Sequence, residues 1–353
     1  MARVTLQSLA DRVGVSRMTV SNAFSRPDQL SDELRRRILQ AADDLGYVGP
    51  DPAARALARG TTGAVGLLLT DRLSEAFGDV VATAFLASVA DALAERGLAL
   101  TLLTPGVAQG VVPARDVAMD GVLVYICDPD SPDVAWLTRR RLPMVGVDQA
   151  PAPGTPSINV DDRSGAYAAA QHLLDLGHRD IGVLTITAHG NRGVVADPLA
   201  EPSAYSSAQR LRGWLSALEA AGVTPTVMAT AFHPPGAAYD AALELLDRPD
   251  PPTALLCFSD AFAAAAVRAA QSLGLRVPED LSVVGFDDSP VAAATDPPLT
   301  TVRQDVRAKA QAAVAALAAV LEARRNETAE PADHLLLPTE LVVRVSTAPP
   351  RSG

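Results

Sequence analysis

The sequence has little lysine, cysteine or aromatic side chain. Only one of its 30 basic residues is a lysine, Lys309, which points to a coding bias toward arginine and indicates nothing about mechanism. Aromatic residues make up 4% of the chain, and its two cysteines are too few for a disulfide framework. Histidine and cysteine nowhere cluster at metal-ligand spacing. We therefore expect no structural disulfide, no metal and no cofactor.

Long apolar runs and catalytic motifs are missing as well. No run approaches the roughly 20 residues of a membrane span, and the N-terminal segment MARVTLQSLADRVGVS lacks the apolar core of a signal peptide. We expect a cytoplasmic protein with no membrane partner. The sequence contains no G-x-S-x-G, no G-x-G-x-x-G and no P-loop. These absences predict that the protein is not an enzyme.

Charge is unevenly distributed along the chain. With 353 residues the protein is long enough for two or three domains. Its formal net charge of −11 argues against a surface that coats nucleic acid. Residues 1–60, however, carry nine arginines against seven acidic residues. Binding to nucleic acid must therefore be local to this segment.

Residues 5–46 are predicted to form three short helices. Thr5, Ser16 and Ser31 are natural N-caps, and apolar residues follow each of them at helical spacing. A helix-turn-helix needs a small residue where its two helices cross closely, a glycine at the turn and an apolar residue that anchors the second helix. The sequence meets these requirements with Ala10, Gly14 and Val20. An ordinary helical hairpin is the alternative. The caps, the spacing and the local positive charge together favour a DNA-binding motif.

The remainder of the chain indicates an α/β fold with two similar halves. The stretch AARALAR (53–59) lies between segments rich in proline and glycine, which mark a domain boundary. From Ala64 onward, apolar runs alternate with helical segments, a pattern typical of parallel sheets buried on both faces. The pattern restarts after Asp161, which predicts two subdomains with a ligand crevice between them. The connection 188–202 is either a disordered loop or one that lines a site, and residues 346–353 are expected to be a frayed tail.

The sequence resembles the LacI/GalR (lactose and galactose repressor) family. The similarity begins with VTLQSLADRVGVSRMTVSNAF and continues in order through NVDDRSGAYAAAQHLLDLGHRDIGVLT, GLRVPEDLSVVGFDDSP and PPLTTVRQD to about residue 347. It implies a ligand-responsive, sequence-specific transcriptional regulator that acts as a repressor, with a helix-turn-helix headpiece and a core resembling periplasmic sugar-binding proteins. The implied partners are a pseudo-palindromic operator, a second copy of the chain and a small-molecule effector, a sugar or sugar derivative.

The resemblance also suggests domain boundaries. We expect a headpiece over residues 1–49 and a hinge helix with linker over 50–62. The core N-subdomain is expected over 63–160 and 291–328, and the C-subdomain over 161–290 and 329–347. No apolar heptad follows Val345, so we predict a dimer without a C-terminal tetramerising helix. The resemblance allows two kinds of effector, one that releases the protein from DNA and one that promotes its binding.

The second helix is expected to read bases in the major groove. Arg17 can pair with guanine and Asn22 with adenine, while Met18 suits a thymine methyl group. Contacts to phosphates, which position the protein without reading sequence, are expected from Thr5, Ser16, Thr19, Ser21, Arg12 and Arg26. The resemblance adds a hinge helix in which Leu57 enters the minor groove and Ala54 permits close approach. A plain linker is the alternative, and an extra residue within 49–52 leaves the register of the hinge open.

The effector is expected to meet polar groups at strand ends, with aromatic rings against its apolar faces. The candidates are Asp71, Phe77, Tyr125, Asp148, Asp161, Arg210, Trp214, Ser259, Asp260 and Asp287. The resemblance favours Arg210 and Asp287 most. Loop capping is the alternative for each aspartate and core packing for Trp214, and Ser259 replaces an asparagine common in the family. A transport binding protein would fit the core equally well but not the helix-turn-helix.

Overall fold

The computed structural model describes residues 4–49, 51–69, 73–106, 110–126, 130–187, 192–200, 204–231 and 236–351. The predicted site residue Asp71 lies outside these ranges. The chain forms two compact units, residues 1–63 and 64–353. Within the described ranges no helix is both long enough and apolar enough to cross a membrane.

The first unit contains the three predicted short helices and a fourth helix. They are α1 (Leu6–Val13), α2 (Arg17–Ser25), α3 (Asp32–Leu45) and α4 (Pro52–Arg59). The cap predictions are confirmed, because the hydroxyls of Thr5, Ser16 and Ser31 each accept a first-turn backbone N–H. Gly14 ends α1 at φ 77°, a left-handed conformation that favours glycine. Leu9, Ala10, Val20, Ala23, Ile38 and Ala42 form the buried centre of this unit.

The second unit alternates strands and helices. In the described residues its strands are β1 (Ala64–Leu69), β2 (Ala99–Leu103), β3 (Gly121–Tyr125), β4 (Met144–Val147), β5 (Ser157–Val160), β6 (Ile181–Ile186), β7 (Gly193–Val194), β8 (Thr226–Thr230), β9 (Ala254–Cys257), β10 (Ser282–Asp287), β11 (Thr300–Gln304), β12 (His334–Leu337) and β13 (Thr339–Val342). Its helices are α5 (Leu73–Ala76), α6 (Val80–Ala94), α7 (Pro113–Asp116), α8 (Pro132–Arg139), α9 (Asp162–Asp175), α10 (Tyr205–Ala220), α11 (Ala237–Leu246), α12 (Asp260–Ser272), α13 (Pro290–Ala294) and α14 (Val306–Arg325).

The described strands form two sheets, and each sheet with its helices makes one lobe. The first lobe has the strand order β12-β5-β4-β3-β1-β2, and all its pairs are parallel. The second lobe has the order β13-β11-β10-β9-β6-β8-β7, and only its two edge pairs are antiparallel. Apolar helix faces cover the strands, as the continuous apolar runs predicted. The predicted α/β fold class is confirmed.

Two of the subdomain boundaries expected from the resemblance differ from the strand pairing. Strand β11 lies within 291–328, which was expected in the first lobe, but it pairs with β10 in the second sheet. Strand β12 lies within 329–347, which was expected in the second lobe, but it pairs with β5 in the first sheet. The chain therefore crosses between the lobes near residues 161, 305 and 338. The sequence of a short polar strand such as β11 (TTVRQ) does not indicate which of the two sheets the strand will join.

Two helices, α5 and α6, lie between β1 and β2, because Asp79 caps a new helix after a break. Two local expectations are revised by the structure. Of the connection 188–202, the structure describes residues 192–200, where Gly193–Val194 pairs antiparallel with β8 and lies outside the lining of the cavity between the lobes. The remaining residues of this connection lie outside the described ranges. The expected frayed tail is bonded to the second lobe: the hydroxyl of Ser346 donates to the Val283 carbonyl at 2.6 Å, and His178 contacts the Ala348 carbonyl at 2.9 Å.

Candidate DNA-reading surface and effector cavity

Helix α2 presents the residues predicted to read DNA on its accessible side. Met18 is 70% exposed and Arg17 is exposed, whereas Ser21 and Asn22 are half-buried. Val20 is fully buried, and the half-buried ring of Phe24 packs edge to face on Tyr47 with centroids 5.7 Å apart. The buried side anchors the helix, so its first turn remains available to base edges.

Asn22 is oriented by a residue that the sequence reasoning missed. Its Nδ2 donates to Oε1 of Gln29 at 3.0 Å, and Gln29 ends the short 3₁₀ turn Pro27–Gln29 that follows α2. The spacing of seven residues, with a turn between, gives no periodic signal. Gln29 therefore fixes the amide that was predicted to pair with adenine.

The hydroxyl groups at the N-termini of α1 and α2 cap these helices. Thr5 and Ser8 form a reciprocal capping box at α1. At α2, Ser16 Oγ lies 2.8 Å from Thr19 Oγ1 and also accepts the Thr19 N–H. These hydroxyls fix the helix ends, where backbone N–H groups are open to a phosphate. Arg26 is exposed at the other end of α2.

Helix α4 is short and its apolar side chain is uncovered. Leu57 is 87% exposed, and Ala54 is exposed one turn before it. The carboxylate of Asp51 accepts the Ala53 and Ala54 N–H groups at 2.8 and 3.4 Å, so the segment with the extra residue supplies the N-cap of this helix.

A cavity of about 310 Å³ lies between the two lobes. Asp79, Tyr125 and Asp148 line it from the first lobe. From the second lobe it is lined by Ser206, Arg210, Phe258, Ser259, Arg268, Asp287 and Gln304. This volume is at the lower end of the range for small-molecule sites, and apolar walls with a few convergent polar groups are the usual makeup of such sites.

Arg210 is the centre of the polar wall in the second lobe. Its guanidinium donates to Asp162 Oδ1 at 2.8 Å, to the Phe258 carbonyl at 2.6 Å and to Asp287 Oδ1 at 3.2 Å. The ring of Phe286 lies 3.6 Å from the guanidinium carbon. A planar, always charged group with these partners is held in one orientation.

The two carboxylates bound to Arg210 have perturbed acidity. Burial raises the pKa of Asp287 to about 7, although Arg210 opposes the shift. Burial likewise raises the pKa of Asp162 to about 6 against the same arginine. Asp287 also has a positive φ of 110°, which is strained for a residue with a side chain. A group such as Asp287, with a perturbed pKa and a strained backbone at the wall of a cavity, is typical of binding sites.

Asp148 is the corresponding carboxylate of the first lobe. It follows β4 at φ 51°, and its Oδ2 accepts from Lys309 Nζ at 2.5 Å. Its Oδ1 is buried and, among the described residues, has no hydrogen-bond partner. Tyr125 lies beside it, stacked on Phe85 with ring centroids 4.5 Å apart.

The structure brings five of the predicted effector residues to the cavity, namely Tyr125, Asp148, Arg210, Ser259 and Asp287. It does not bring four others there. Phe77 is 56% exposed outside the lining, and Trp214 is packed in the core of the second lobe, the alternative raised for it. Asp161 caps α9. Asp260 is buried behind the wall, where it accepts from Thr301 and from the Ser289 N–H.

Sequence reasoning missed several polar residues of this region: Asp79, Asp162, Ser206, Arg268, Gln304 and Lys309. Lys309 carried a usable signal, since it is the one lysine of the chain and lies in an alanine-rich helix. Gln304 and Asp162 are separated by more than 140 positions, and only the sheet topology brings their elements together.

A helix-turn-helix unit joined to a two-lobed core of this topology defines a DNA-binding transcriptional regulator with a periplasmic-binding-protein-like domain. Residues 5–49 match the family model for bacterial regulatory proteins of the lacI family, and residues 170–347 match the model for the periplasmic binding protein-like domain. The chain belongs to the LacI family of bacterial regulatory proteins.

Related proteins agree with this assignment. The chain is 41% identical over 321 residues to an HTH-type transcriptional regulator of Mycolicibacterium smegmatis, with 86% of each chain covered. It is 40% identical over 316 residues to the HTH-type transcriptional regulator IpsA of Corynebacterium glutamicum, covering 86% of this chain and 88% of that one. It is 30% identical to the repressor PurR of Photobacterium profundum, covering 92% and 93%. All three are named as regulators, so the chain is a regulator and not an enzyme.

Solved structures show the same fold. A complex of the transcriptional regulator CelR with cellobiose is 30% identical to this chain with a TM-score of 0.70, covering 98% of this chain and all of that one. The lac repressor dimer bound to operator is 24% identical with a TM-score of 0.81, covering 98% and 99%. The second likeness concerns the fold alone.

Proposed function

We propose that this protein is a repressor whose affinity for an operator is controlled by a sugar or sugar derivative bound between the two lobes of its core. The observation that carries the proposal is the cavity, which both lobes line with fixed carboxylates and one clamped arginine. Carboxylate and guanidinium groups in fixed positions are suited to hydroxyl groups of a polyol. The names of two relatives, a repressor and a regulator bound to cellobiose, support the same function.

In this proposal the headpiece (1–49) reads the operator through α2. Arg17 donates to guanine, Asn22 pairs with adenine and Met18 contacts a thymine methyl group. Thr5, Ser16, Thr19, Ser21 and Arg26 face the phosphate backbone and set the register without reading sequence. The accessibility of Arg17 and Met18 supports these roles.

The hinge (50–62) is proposed to act with the headpiece. Leu57 enters the minor groove, and Ala54 allows the close approach that the wedge requires. The support is the exposure of Leu57, because an apolar side chain 87% open to water gains from any burial. Two hinges from a homodimer would meet at the centre of a pseudo-palindromic site.

Tyr125, Asp148, Arg210, Ser259 and Asp287 are proposed to hold the effector. Asp148 and Asp287 accept from its hydroxyls, Arg210 and Ser259 donate to its oxygens, and Tyr125 covers an apolar face. Because these groups belong to different lobes, binding favours one arrangement of the lobes over another. DNA and effector then alter each other's affinity by the same factor.

The test begins with an operator selected from random DNA by the full chain. A variant lacking residues 1–63 should lose operator binding but keep a folded core, because these residues form a separate compact unit. A thermal-shift panel of neutral sugars, sugar phosphates and disaccharides should contain at least one compound that stabilises both chains and changes the operator affinity of the full one. Operator binding by the shortened chain, or a panel without any stabilising compound, would contradict the proposal.

A further inference from the structure

Lys309 lies where the chain returns from the second lobe to the first. Its side chain is 1% exposed, and it is the fourth residue of α14, which begins at Val306. Ala310 and Ala313 of the same helix pack into the first-lobe core. Burying an ammonium group is unfavourable unless it is paired and hydrogen-bonded, so this lysine needs partners of fixed position.

The ammonium group of Lys309 joins side chains from both lobes. It donates to Asp148 Oδ2 at 2.5 Å in the first lobe, and to Gln304 Oε1 at 3.0 Å at the end of β11 in the second. The rings of Phe85 and Tyr125 lie 5.7 and 5.8 Å from the nitrogen. Their faces attract the cation and help to keep it in place.

Gln304 continues the connection into the second lobe. Its Nε2 donates to Asp287 Oδ1 at 2.7 Å, and the same oxygen accepts from Arg210. The orientation of the amide is therefore set at both ends, with oxygen toward the lysine and nitrogen toward the carboxylate. An unbroken series of hydrogen bonds runs from Asp148 through Lys309 to Arg210.

Both ends of this series face the cavity. Asp148, Gln304, Asp287 and Arg210 line it, while Lys309 lies behind them. Asp148 Oδ1 is buried without a hydrogen-bond partner among the described residues, so it is an acceptor available to a donor on a bound molecule. A ligand group that donates to Oδ1 of Asp148 would bind the same carboxylate as Lys309 does. It would therefore alter the position of the Lys309 ammonium group and, with it, the hydrogen bond from Lys309 to Gln304.

We propose that Lys309 is a positioning residue that couples the cavity to the arrangement of the two lobes. It holds Asp148 toward the ligand and, through Gln304, ties the second lobe to the first. Residues 304–309 contain one of the crossings between the lobes, so a change in lobe angle there must stretch or break the bond from Lys309 to Gln304. The ligand part of this role rests on the proposed function, whereas the link between the lobes belongs to the ligand-free chain.

The link can be measured without ligand by the distance between two spin labels. The labels are placed on the full chain at Asp91→Cys in the first lobe and Glu219→Cys in the second, both exposed helix positions. The native cysteines are replaced by Cys127→Ser and Cys257→Ala. Lys309→Met and Gln304→Met should each broaden or shift the distance distribution obtained by pulsed electron paramagnetic resonance. Arg276→Ala, which removes a surface ion pair with Asp280, is the matched control and should leave it unchanged.

A double variant separates coupling from folding. Lys309→Met alone leaves Asp148 buried without its cation and can unfold the chain. Asp148→Asn/Lys309→Met removes both charges together, so it should fold while still lacking the bond to Gln304. A wild-type distance distribution in the folded double variant and in Gln304→Met would overturn the proposal. Failure of every sugar to bind would contradict the proposed function and would leave this ligand-free measurement unaffected.

Discussion

Arg210 and Asp287 form a buried ion pair in the wall of the cavity, with Nη2 and Oδ1 3.2 Å apart. The same guanidinium is bound to Asp162, so one cation offsets two carboxylates that are almost fully removed from water. Its loss would leave both charges uncompensated. The pair therefore holds the cavity in shape as well as supplying donors to it.

The first prediction follows from this pair. Arg210→Met should lower the free energy of unfolding by about 3–5 kcal/mol, because one substitution leaves buried carboxylates without their cation. Urea unfolding of the full chain measures the change. The surface pair of Arg276 and Asp280 provides the control, since Arg276→Ala should leave the free energy of unfolding nearly unchanged. Equal losses in the two variants would show that Arg210 does not stabilise the wall.

The second prediction concerns pH. Burial raises the pKa of Asp287 to about 7 and those of Asp162 and Asp260 to about 6, whereas aspartates in an unfolded chain titrate near pH 3.9. The folded chain thus holds protons that the unfolded chain releases, so stability falls as pH rises. We expect Asp287 to contribute a loss of roughly 0.5–1 kcal/mol between pH 6.5 and 7.5, measured by urea unfolding at constant ionic strength.

The control for this pH effect is Asp287→Asn, which should remove the loss that Asp287 contributes. His172 and His178 act in the opposite sense over the same interval, because burial lowers their pKa values below the ordinary 6.5 and the unfolded chain then binds more protons than the folded one. Their contribution is common to both chains, so the difference in slope between the unsubstituted chain and Asp287→Asn isolates Asp287. Equal slopes in the two chains would contradict the raised pKa of Asp287.

The third prediction concerns base reading. Arg17→Ala should weaken binding to the selected operator by about 1–3 kcal/mol and leave non-specific DNA binding nearly unchanged, since a bidentate contact discriminates among bases. Fluorescence anisotropy with operator and with scrambled DNA measures both affinities. Arg12→Ala is matched in charge, and Arg12 is also exposed. The Arg12→Ala substitution should weaken binding to operator and to scrambled DNA by the same factor. Equal losses of affinity for the two DNAs in Arg17→Ala would show that Arg17 contacts a phosphate and not a base.

The fourth prediction separates binding from stability at the hinge. Leu57 is 87% exposed, so Leu57→Ala should change the free energy of unfolding by less than about 0.5 kcal/mol. Operator affinity should nevertheless fall, because the wedge into the minor groove is lost. Ala58→Ser, at an exposed position of the same helix, serves as the control. Operator affinity that is unaffected by Leu57→Ala would favour the plain-linker interpretation.

The headpiece was predictable almost residue by residue because its signals are local. Ser16 accepts the Thr19 N–H at 3.0 Å, as a cap three residues away should. Gly14 and Gly46 end their helices in left-handed conformations. None of these features depends on residues far away in the chain.

The cavity was predictable only in part. Asp148 and Asp287 follow apolar strands, and the carboxyl ends of such strands are where ligands bind in α/β folds. The same rule also predicted Asp161 as a ligand-binding residue, although the structure shows that Asp161 caps α9. An aspartate after a strand can bind a ligand or cap a helix, and the local sequence does not distinguish the two.

Local features of the sequence are enough to predict the helix-turn-helix, the alternation of strands and helices, and the family. These depend on caps, turns and periodicities that act over a few residues. Contacts between distant parts of the folded chain place β11 and β12 in opposite sheets, bond residues 346–351 to the second lobe, and bring Lys309 between Asp148 and Gln304. Long-range pairing and burial fix those contacts. A buried charge can be tolerated only where the fold brings its partners from distant parts of the chain.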